Sequence, residues 1–310
     1  MLFTHSSSSR QSFAKDPAVV HFKGAYYLYF SSLESFGGER DKLVVGIARS
    51  ADMEHWEFVQ FMPLTQPCEQ NGVGAPGAYV EGDRVHLFYQ TYGNWKKDAI
   101  CHAVSRDGVH FEKDETNPIF SPTEDWCCGR AIDADVLAFD GKLFLYFATR
   151  DHEMKIQMQG CAYAPLGCDY ARDRWTQATN ASILYPELLW EGQCIEAAAT
   201  LVHNGKVYLF YGGSYNCTPQ QIGYAVSSDG IHFEKPQNTP FLPAGNPGDW
   251  NACESGHPYA FVDDDGRIYL FYQGSPDGGK SWYLSRCEIG FRQGVPHILQ
   301  FYNNKTEVSS

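Results

Sequence analysis

DADVLAFDGKLFLYF, residues 133–147, is one of five versions of the same phrase in this 310-residue chain. Each version runs from a strand pattern through a short turn into a second strand, where a leucine stands among aromatic residues. The other versions begin at Asp16, Ala75, Glu196 and His257. The leucines are Leu28, Leu87, Leu145, Leu209 and Leu270, which are 58 to 64 residues apart. A period of this size is typical of a repeat architecture.

A second phrase follows the third strand of several repeats. It reads SADMEHWEF from Ser50, SRDGVHFEK from Ser105 and SSDGIHFEK from Ser227. Asp-Gly after a strand is turn chemistry, because Asp accepts local backbone N–H bonds and Gly tolerates a positive φ. We therefore interpret the histidines of this phrase as scaffold. They are His55, His110 and His232.

Five repeats of about four short strands are compatible with a sandwich, a solenoid or a propeller, and radial closure fits a sixty-residue period best. We predict an all-β fold, a five-bladed β-propeller with about four antiparallel strands per blade. It forms a single domain over residues 1–310, with blades that start near residues 16, 75, 133, 196 and 257. Closure of the ring pairs either the N-terminal residues or the tail strand 297–302 with the last blade.

The charge balance restricts the possible partners. The formal net charge is −13 and the pI is near 5.2. Nucleic acids and anionic membrane surfaces require clustered Lys and Arg, so neither is an expected partner. An uncharged ligand such as an oligosaccharide or a small glycoside remains.

Targeting and redox signals are weak. No run of 18 apolar residues is present, and the N-terminus MLFTHSSSSRQS lacks the apolar stretch of a secretory signal. We expect a cytoplasmic protein, or a secreted one if a signal has been removed. The ten cysteines include no CxxC pair, which favours reduced structural thiols over a metal or redox site.

Three repeats carry a carboxylate where the phrase begins. Asp16 and Asp133 lie 12 residues before their leucine, while Glu196 and His257 lie 13 before theirs. In a propeller the first strands line the central channel, so we expect these four side chains to meet at one mouth. Three facing carboxyls repel one another, so at least one keeps its proton. An acid and a base with separated pKa values is what glycoside hydrolysis requires. Asp135 is the weaker rival of Asp133.

Further residues around this mouth are candidates for substrate binding. Sugars stack on aromatic rings, and Trp95, Trp126 and Trp190 precede or follow the strands that form the ring. Repeated tryptophans also pack blades together, so both interpretations stay open. Arg130 and Glu254 are candidates for contacts with sugar hydroxyls or a carboxylate.

The chain resembles glycoside hydrolase family 43 and its five-bladed relatives of family 32. The resemblance lies in KDPAVV, AIDADVLAFDGKLFLYF, IEAAATLVHNGKVYLFY and SGHPYAFVDDDGRIYLFY. It implies that Asp16 is the general base, that Asp133 tunes the acid and orients substrate, and that Glu196 is the general acid. It also implies that His257 sits near a central cation, often calcium.

The phrases depart from the family pattern at several places. Ala134 stands where a proline follows the aspartate, and Ala197 and Ala198 replace Gly-Pro after the glutamate. Blade two reads Gly-Ala-Pro-Gly at 74–77 and lacks both the tryptophan and the acid of the family. Because the carboxylates are kept, the reaction type is better supported than the substrate.

The resemblance implies a glycosidase that acts on neutral pentose-type glycosides, like a β-xylosidase or an α-L-arabinofuranosidase. We expect exo action with inversion, no required cofactor and an optional structural calcium in the channel. Three alternatives stay open: a retaining β-fructosidase-like enzyme, a glycoside phosphorylase and a non-catalytic carbohydrate-binding propeller. A phosphorylase needs basic residues for phosphate, and Lys15, Arg130 and Arg150 are the candidates.

Overall fold

The computed structural model describes residues 2–6, 12–35, 41–123 and 125–303. The strands in chain order are β1 (Lys15–Phe22), β2 (Ala25–Glu34), β3 (Lys42–Ser50), β4 (Glu57–Phe61), β5 (Val73–Glu81), β6 (Arg84–Thr91), β7 (Ile100–Ser105), β8 (Phe111–Lys113), β9 (Ile132–Phe139), β10 (Lys142–Arg150), β11 (Gln157–Pro165), β12 (Thr176–Gln177), β13 (Ile195–His203), β14 (Lys206–Gly213), β15 (Gln221–Ser227), β16 (Phe233–Glu234), β17 (Glu254–Val262), β18 (Ile268–Ser275), β19 (Tyr283–Arg292) and β20 (Val295–Phe301). Short 3₁₀ helices are Pro67–Glu69, Trp95–Lys97, Arg172–Arg174 and Leu189–Glu191.

The strands form five antiparallel sheets of four, which confirms the predicted five-bladed propeller. Blades one to five are β1–β4, β5–β8, β9–β12, β13–β16 and β17–β20, each in sequence order. The first strand of every blade packs against the first strands of its two neighbours, so these strands form the inner wall of the ring.

The repeated phrase is the inner hairpin of each blade. The leucine in the second strand is fully buried in all five blades, because that strand has a neighbouring strand on either side and a blade over each face. The phrase turns Lys23-Gly24, Asp140-Gly141 and Asn204-Gly205 have positive φ at both residues, as two-residue hairpins require. Blade five differs, because its turn spans residues 263–267.

Ring closure uses both candidate segments, in different ways. The tail strand β20 is the outer strand of blade five. The N-terminal residues add isolated bridges to β19, where Phe3 pairs with Leu284 and Phe13 pairs with Trp282. Blades one and five then meet through β1 and β17.

The second phrase forms exposed turns. In the turn after β7, the Asp107 carboxylate accepts the backbone N–H of Val109 and of His110, and it also contacts His110 Nδ1 at 2.7 Å. The same arrangement recurs at His55 and His232. These contacts agree with the interpretation of the histidines as scaffold. No helix in the described part of the chain has the length and apolar character that a membrane crossing needs.

Candidate active site

Every blade begins with a two-residue β-bulge in its first strand. The first bulge residue has a left-handed backbone, with φ between 42° and 56°. These residues are Asp16, Ala75, Asp133, Ala197 and His257. A positive φ is unfavourable for a residue other than glycine, and such strain collects at functional sites. The bulge turns three ionisable side chains to equivalent places on the ring.

Glu196 does not share this position, so one prediction from the repeat is wrong. It pairs with Gly212 in the ladder, which puts it one residue before the bulge of blade four. Its equivalents are Lys15, Gly74, Ile132 and Gly256. Glu196 and His257 share an offset of 13 residues only because the hairpin turn of blade five is longer.

A side chain of the preceding blade binds the backbone N–H of each bulge. Each blade supplies this side chain to the blade that follows it in the ring, and blade five supplies it to blade one. The hydrogen bonds are Asp16 N to Gln273 Oε1 (3.0 Å), Ala75 N to Ser31 Oγ (2.8 Å), Asp133 N to Gln90 Oε1 (2.8 Å) and His257 N to Gln220 Oε1 (3.1 Å). With its amide oriented to satisfy both neighbours, Gln159 accepts the N–H of Ala197 at 3.2 Å. The buried N–H groups therefore have partners, as burial demands.

These anchoring residues were missed from the sequence, although the repeat carried a signal. In three blades the anchor stands three residues after the phrase leucine, at Ser31, Gln90 and Gln273. Blades three and four have the small residues Ala148 and Gly212 there, and a glutamine from the third-strand side takes over. A Cβ on Gly212 would lie 2.9 Å from the Gln220 side-chain oxygen, so the glycine makes room for that glutamine.

Asp16 is held as an anion. Its Oδ1 lies 3.1 Å from His257 Nδ1, and both side chains are buried. Burial alone would raise the pKa of Asp16. Interaction with His257, the charge of Lys15 and a hydrogen bond with Ser31 outweigh burial and lower the pKa of Asp16. Burial also lowers the pKa of His257 itself, so Lys15 is the lasting positive charge beside Asp16 at neutral pH. An ionised carboxylate at this position can accept a proton.

Asp133 is held in the opposite state. Burial and the negative charges of Glu196 and Asp16 raise the pKa of Asp133 well above its ordinary value, against the opposing charges of Arg130 and Lys15. The raised pKa of Asp133 agrees with the expectation that at least one of the three carboxyls keeps a proton. The resemblance implies that Glu196 is the general acid, whereas the raised pKa belongs to Asp133. The charges of both other acids act on Asp133.

Glu196 is the most exposed of the three carboxylates. Gln220 Nε2 donates to its Oε1 at 2.6 Å, and Gln157 Nε2 donates to its Oε2. Gln157 in turn accepts from Arg150 Nε at 2.6 Å. Amide donors on both oxygens fix the carboxylate plane of Glu196.

Lys15 occupies in blade one the place of Glu196 in blade four. Burial would lower the pKa of the Lys15 ammonium, but the charges of Asp16, Glu254, Glu196 and Asp133 outweigh burial and raise it. The ammonium also lies 4.3 Å from the ring centre of Trp282. A cation therefore sits inside the ring of acids and partly neutralises it.

An open cavity of about 850 Å³ lies at the ends of the strands where the bulges are. Two predicted substrate-binding residues line it, namely Trp95, which is 66% exposed, and Arg130. The three carboxyls are not among its lining residues, but the cavity approaches them through Arg150, which binds Gln157, the donor to Glu196. The other lining residues are Leu33, Asp41, Lys42, Leu43, Asn71, Tyr92, Gly93, Asp98, Arg150 and Met154.

Arg130 is incompletely paired in this cavity. Its Nη2 lies 3.5 Å from Asp98 Oδ2, which is a long contact. Its buried Nε has no acceptor among the described residues. The guanidinium thus retains donor capacity for a ligand.

Two predicted tryptophans pack within their blades. A Cβ on Gly160 would touch Trp126, and a Cβ on Gly213 or Gly223 would touch Trp190. Neither residue lines the open cavity. The sequence left two interpretations of these tryptophans open, packing and sugar stacking. These contacts favour packing.

Glu254 lies inside the ring wall, and its predicted contact with substrate stays a prediction. It is fully buried, and its two oxygens accept from Gln273 Nε2 at 2.6 Å and from the backbone N–H of Cys217 at 2.8 Å. Burial raises its pKa to about 7, although Lys15 and these hydrogen bonds oppose the shift. Glu254 is a buried support of the ring.

The predicted metal contact of His257 has little support from the side chains around it. Calcium takes six to eight oxygen ligands. Among the described residues, His21, Asp263 and Asp264 form the one group whose ligand atoms converge, and His257 is not part of it. The Nδ1 of His257 already faces Asp16. The residues present do not build a calcium cage, and the contact stays a prediction.

Asp135 lies deeper on the same strand as Asp133. Its Oδ2 accepts from the backbone N–H of Thr200 at 2.8 Å and from the Thr200 hydroxyl at 2.5 Å. Burial raises the pKa of Asp135 to about 7 against these hydrogen bonds. Asp135 therefore joins blade three to blade four below the mouth.

Comparison with known proteins gives one match that spans the fold. The family described as "Glycosyl hydrolases family 43" matches residues 10–288. A β-xylosidase of Xylanibacter ruminicola is 33% identical over 95 residues, which are 31% of this chain and 25% of that protein. A β-1,2-mannobiose phosphorylase of Thermoanaerobacter sp. (strain X514) is 32% identical over 124 residues, 35% of this chain and 39% of that protein. The chain thus spans well under half of either relative.

Solved structures share the fold at low identity. A thermostable family-43 glycoside hydrolase superposes with a TM-score of 0.74 at 18% identity, over 97% of this chain and 98% of that one. A family-32 β-fructofuranosidase of Bombyx mori gives a TM-score of 0.69 at 17% identity, over 93% of this chain and 62% of that one.

Proposed function

The chain belongs to glycosyl hydrolase family 43, and we propose that it cleaves neutral pentose-type glycosides with inversion of configuration, from the end of its substrate. Glycosidases of this family generally work without a cofactor. One observation carries the assignment of roles: the pKa of Asp16 is lowered, while burial and the charges of Glu196 and Asp16 raise that of Asp133. Carboxyl groups whose pKa values are shifted in opposite directions supply a base and an acid at one pH.

In the proposed reaction Asp16 removes a proton from water on one face of the sugar. Glu196, the most exposed of the three carboxyls, donates a proton to the departing oxygen. Asp133, whose pKa is raised well above its ordinary value, is the neighbouring group that holds a proton. A water molecule that attacks opposite the leaving group gives inversion.

The substrate class rests on two observations. A relative that matches part of the chain is named as a β-xylosidase. The cavity beside the acids has the size of a sugar-binding cleft, and Trp95 offers an exposed ring for stacking. We therefore propose xylosides or arabinofuranosides as substrates.

The test is a panel of 4-nitrophenyl β-xyloside, α-L-arabinofuranoside, β-galactoside and β-mannoside. We expect turnover of a pentoside, and a loss of kcat of about 100-fold or more in Glu196→Gln, because general acid catalysis contributes about 10²–10⁴-fold. Glu187→Gln, which removes an exposed carboxylate on the segment before blade four, is the matched control and keeps wild-type rates. Wild-type rates in Glu196→Gln would remove the acid assignment, and retained configuration in the first product by NMR would remove Asp16 as base.

A second candidate is phosphorolysis, favoured by the unpaired Nε of Arg130 in a cavity that Arg150 also lines. A relative named as a β-1,2-mannobiose phosphorylase matches part of the chain. Phosphate would replace water as the nucleophile and yield a sugar phosphate. For the hydrolase we expect rates that do not change when inorganic phosphate is added. Rates that require phosphate, together with a raised KM for phosphate in Arg130→Met, would establish the phosphorylase instead.

A further inference from the structure

Gln220 joins two blades at the site through a single amide. This fully buried residue accepts the backbone N–H of His257 at 3.1 Å and donates to Glu196 Oε1 at 2.6 Å. It also donates to the backbone carbonyl of Ser214 at 2.9 Å. The three bonds leave the amide one orientation, since a reversed amide would set its NH₂ against the N–H of His257.

The fold reserves space for this amide. A Cβ on Gly256 would lie 1.9 Å from the Gln220 oxygen, and a Cβ on Gly212 would lie 2.9 Å from it. A glycine therefore flanks the amide on the blade-four side and another on the blade-five side. A side chain larger than glycine at Gly256 would collide with this amide, and one at Gly212 would crowd it.

Gln273 repeats the arrangement at the next boundary. It accepts the backbone N–H of Asp16 at 3.0 Å and donates to Glu254 Oε1 at 2.6 Å. His257 links the two amides, because Gln220 holds its backbone while its Nδ1 contacts Asp16 Oδ1 at 3.1 Å. Contacts thus run from Glu196 through Gln220 to the backbone of His257, and from the His257 ring to Asp16.

Gln159 makes the same backbone contact without an ionisable partner. It accepts the N–H of Ala197, and its NH₂ faces the carbonyl of Phe147 at 2.9 Å. It is as buried as Gln220. The chain therefore contains its own control for an amide that only joins blades.

We propose that Gln220 and Gln273 are positioning residues that set the general acid and the general base relative to each other. Gln220 orients the Glu196 carboxyl toward the departing oxygen, and Gln273 fixes the bulge that presents Asp16 to water. Neither amide touches substrate. The proposal rests on the proposed acid and base roles.

The first test compares leaving groups. A 2,4-dinitrophenyl glycoside departs with little protonation, whereas a phenyl glycoside needs the acid. In Gln220→Met we expect kcat to fall about 100-fold for the phenyl glycoside and less than about fivefold for the dinitrophenyl one, since general acid catalysis contributes about 10²–10⁴-fold. In Gln273→Met both substrates slow by one common factor, because the base acts on water in either case.

Gln159→Met removes a comparable amide and is the control for lost stability. We expect it to slow both substrates equally and slightly. The proposal is overturned if Gln220→Met slows the two substrates by the same factor, or if Gln159→Met shows the same discrimination. Gln220→Glu, which keeps an oxygen for the N–H of His257 and removes the donor to Glu196, serves where the Met variant does not fold, with the same discrimination expected.

The second test needs no turnover. Backbone amide exchange in Gln220→Met should speed up at His257 and stay unchanged at Tyr259 on the same strand. Unchanged protection at His257 overturns the proposed bridge whatever the enzyme acts on. A wild type that cleaves no glycoside, together with loss of protection at His257, would instead reject the proposed function and leave the bridge in place.

Discussion

At the residue scale, the site depends on opposite electrostatic surroundings for chemically similar groups. Asp16 and Asp133 are both buried aspartates with left-handed backbones at equivalent bulges. His257 and Lys15 lower the pKa of one, while burial and two neighbouring acids raise the pKa of the other. The positions of the cations in the ring therefore decide which carboxyl accepts a proton and which carboxyl retains one.

These directions predict the pH dependence of kcat/KM. Activity needs ionised Asp16, so the acidic limb lies below the ordinary aspartate pKa of about 3.9. Activity also needs a carboxyl that keeps its proton, and the pKa of Asp133 is raised, so the basic limb lies above the ordinary carboxyl range. In Asp133→Asn we expect the basic limb to move to lower pH, because the carboxyl with the raised pKa is removed. A basic limb that does not move in this variant, measured against Asp173→Asn at the surface, would contradict the assignment of that limb to Asp133.

Trp95 predicts a separable effect on binding. Its ring is exposed and lines the cavity, so Trp95→Ala removes a stacking surface without opening the core. We expect KM to rise roughly tenfold, equivalent to about 1.4 kcal/mol, with a smaller change in kcat and an unchanged melting temperature. Leu189→Ala, at an apolar residue that is even more exposed and does not line the cavity, should leave KM unchanged. Equal KM values for the two variants would exclude Trp95 as a sugar platform.

At the scale of elements, the decisive unit is the bulged first strand. A regular strand would alternate its side chains and leave Asp16 and its neighbour on opposite faces. The bulge adds an unpaired residue and redirects the side chain, and the anchor from the preceding blade satisfies the N–H that is set free. The strain is kept even at Ala75 and Ala197, which carry no chemistry, so the bulge is a property of the blade.

Ala75 offers a test of that strain. Ala75→Gly relieves a left-handed φ of 43° at a buried residue with no catalytic side chain. We expect the free energy of unfolding to rise by up to about 1 kcal/mol, since a left-handed residue costs about 1–2 kcal/mol and glycine loses about 0.5–1 kcal/mol in entropy. Ala78→Gly, at a non-strained position of the same strand, should lower it. Urea unfolding of both variants measures these free energies. If Ala75→Gly lowers the free energy of unfolding as much as Ala78→Gly does, the bulge is not strained.

At the scale of the whole molecule, polar bridges between blades supplement the apolar packing of the ring. The anchors around the mouth join every pair of neighbouring blades. Below the mouth, Asp135 of blade three binds Thr200 of blade four, and Tyr259 of blade five donates to the carbonyl of Ala78 in blade two at 2.8 Å. Blades that are distant in sequence are thus locked in register around the axis.

Asp135 makes the stability of the ring pH-dependent. Its pKa is raised to about 7, so the folded chain holds a proton that the unfolded chain releases near pH 4. Its contribution is therefore fully present below pH 4 and is lost as pH rises to 7, by linkage. Asp135→Asn keeps the shape and a hydrogen-bond donor, so at pH 8 we expect it to be more stable than wild type by on the order of 3 kcal/mol, and nearly equal at pH 4.

Urea unfolding at pH 4 and pH 8 checks this expectation. Asp173→Asn, with a side chain that is 77% exposed, is the control and should show no such pH-dependent difference. The same stability difference between Asp135→Asn and wild type at both pH values would mean that Asp135 is ionised in the folded chain throughout.

The sequence by itself determined the repeat, the number of blades and the residue types of the site. It did so because strand alternation, hairpin turns and the buried leucine are local properties that each blade repeats. It also singled out Asp16, Asp133 and Glu196, since a carboxylate at the start of an apolar strand is costly without a use. It further identified Trp95 and Arg130, which lie on loops at the mouth.

Only the tertiary structure decided how these residues meet. The offset count put Glu196 at the bulge, but the ladder shows that the longer turn of blade five produced the agreement. Glu254 and Trp190 looked accessible because nothing in their own segments reveals the blade that covers them. The anchor from Gln273 to Asp16 spans 257 residues. Contacts of that kind depend on where the ring closes, which no local pattern encodes.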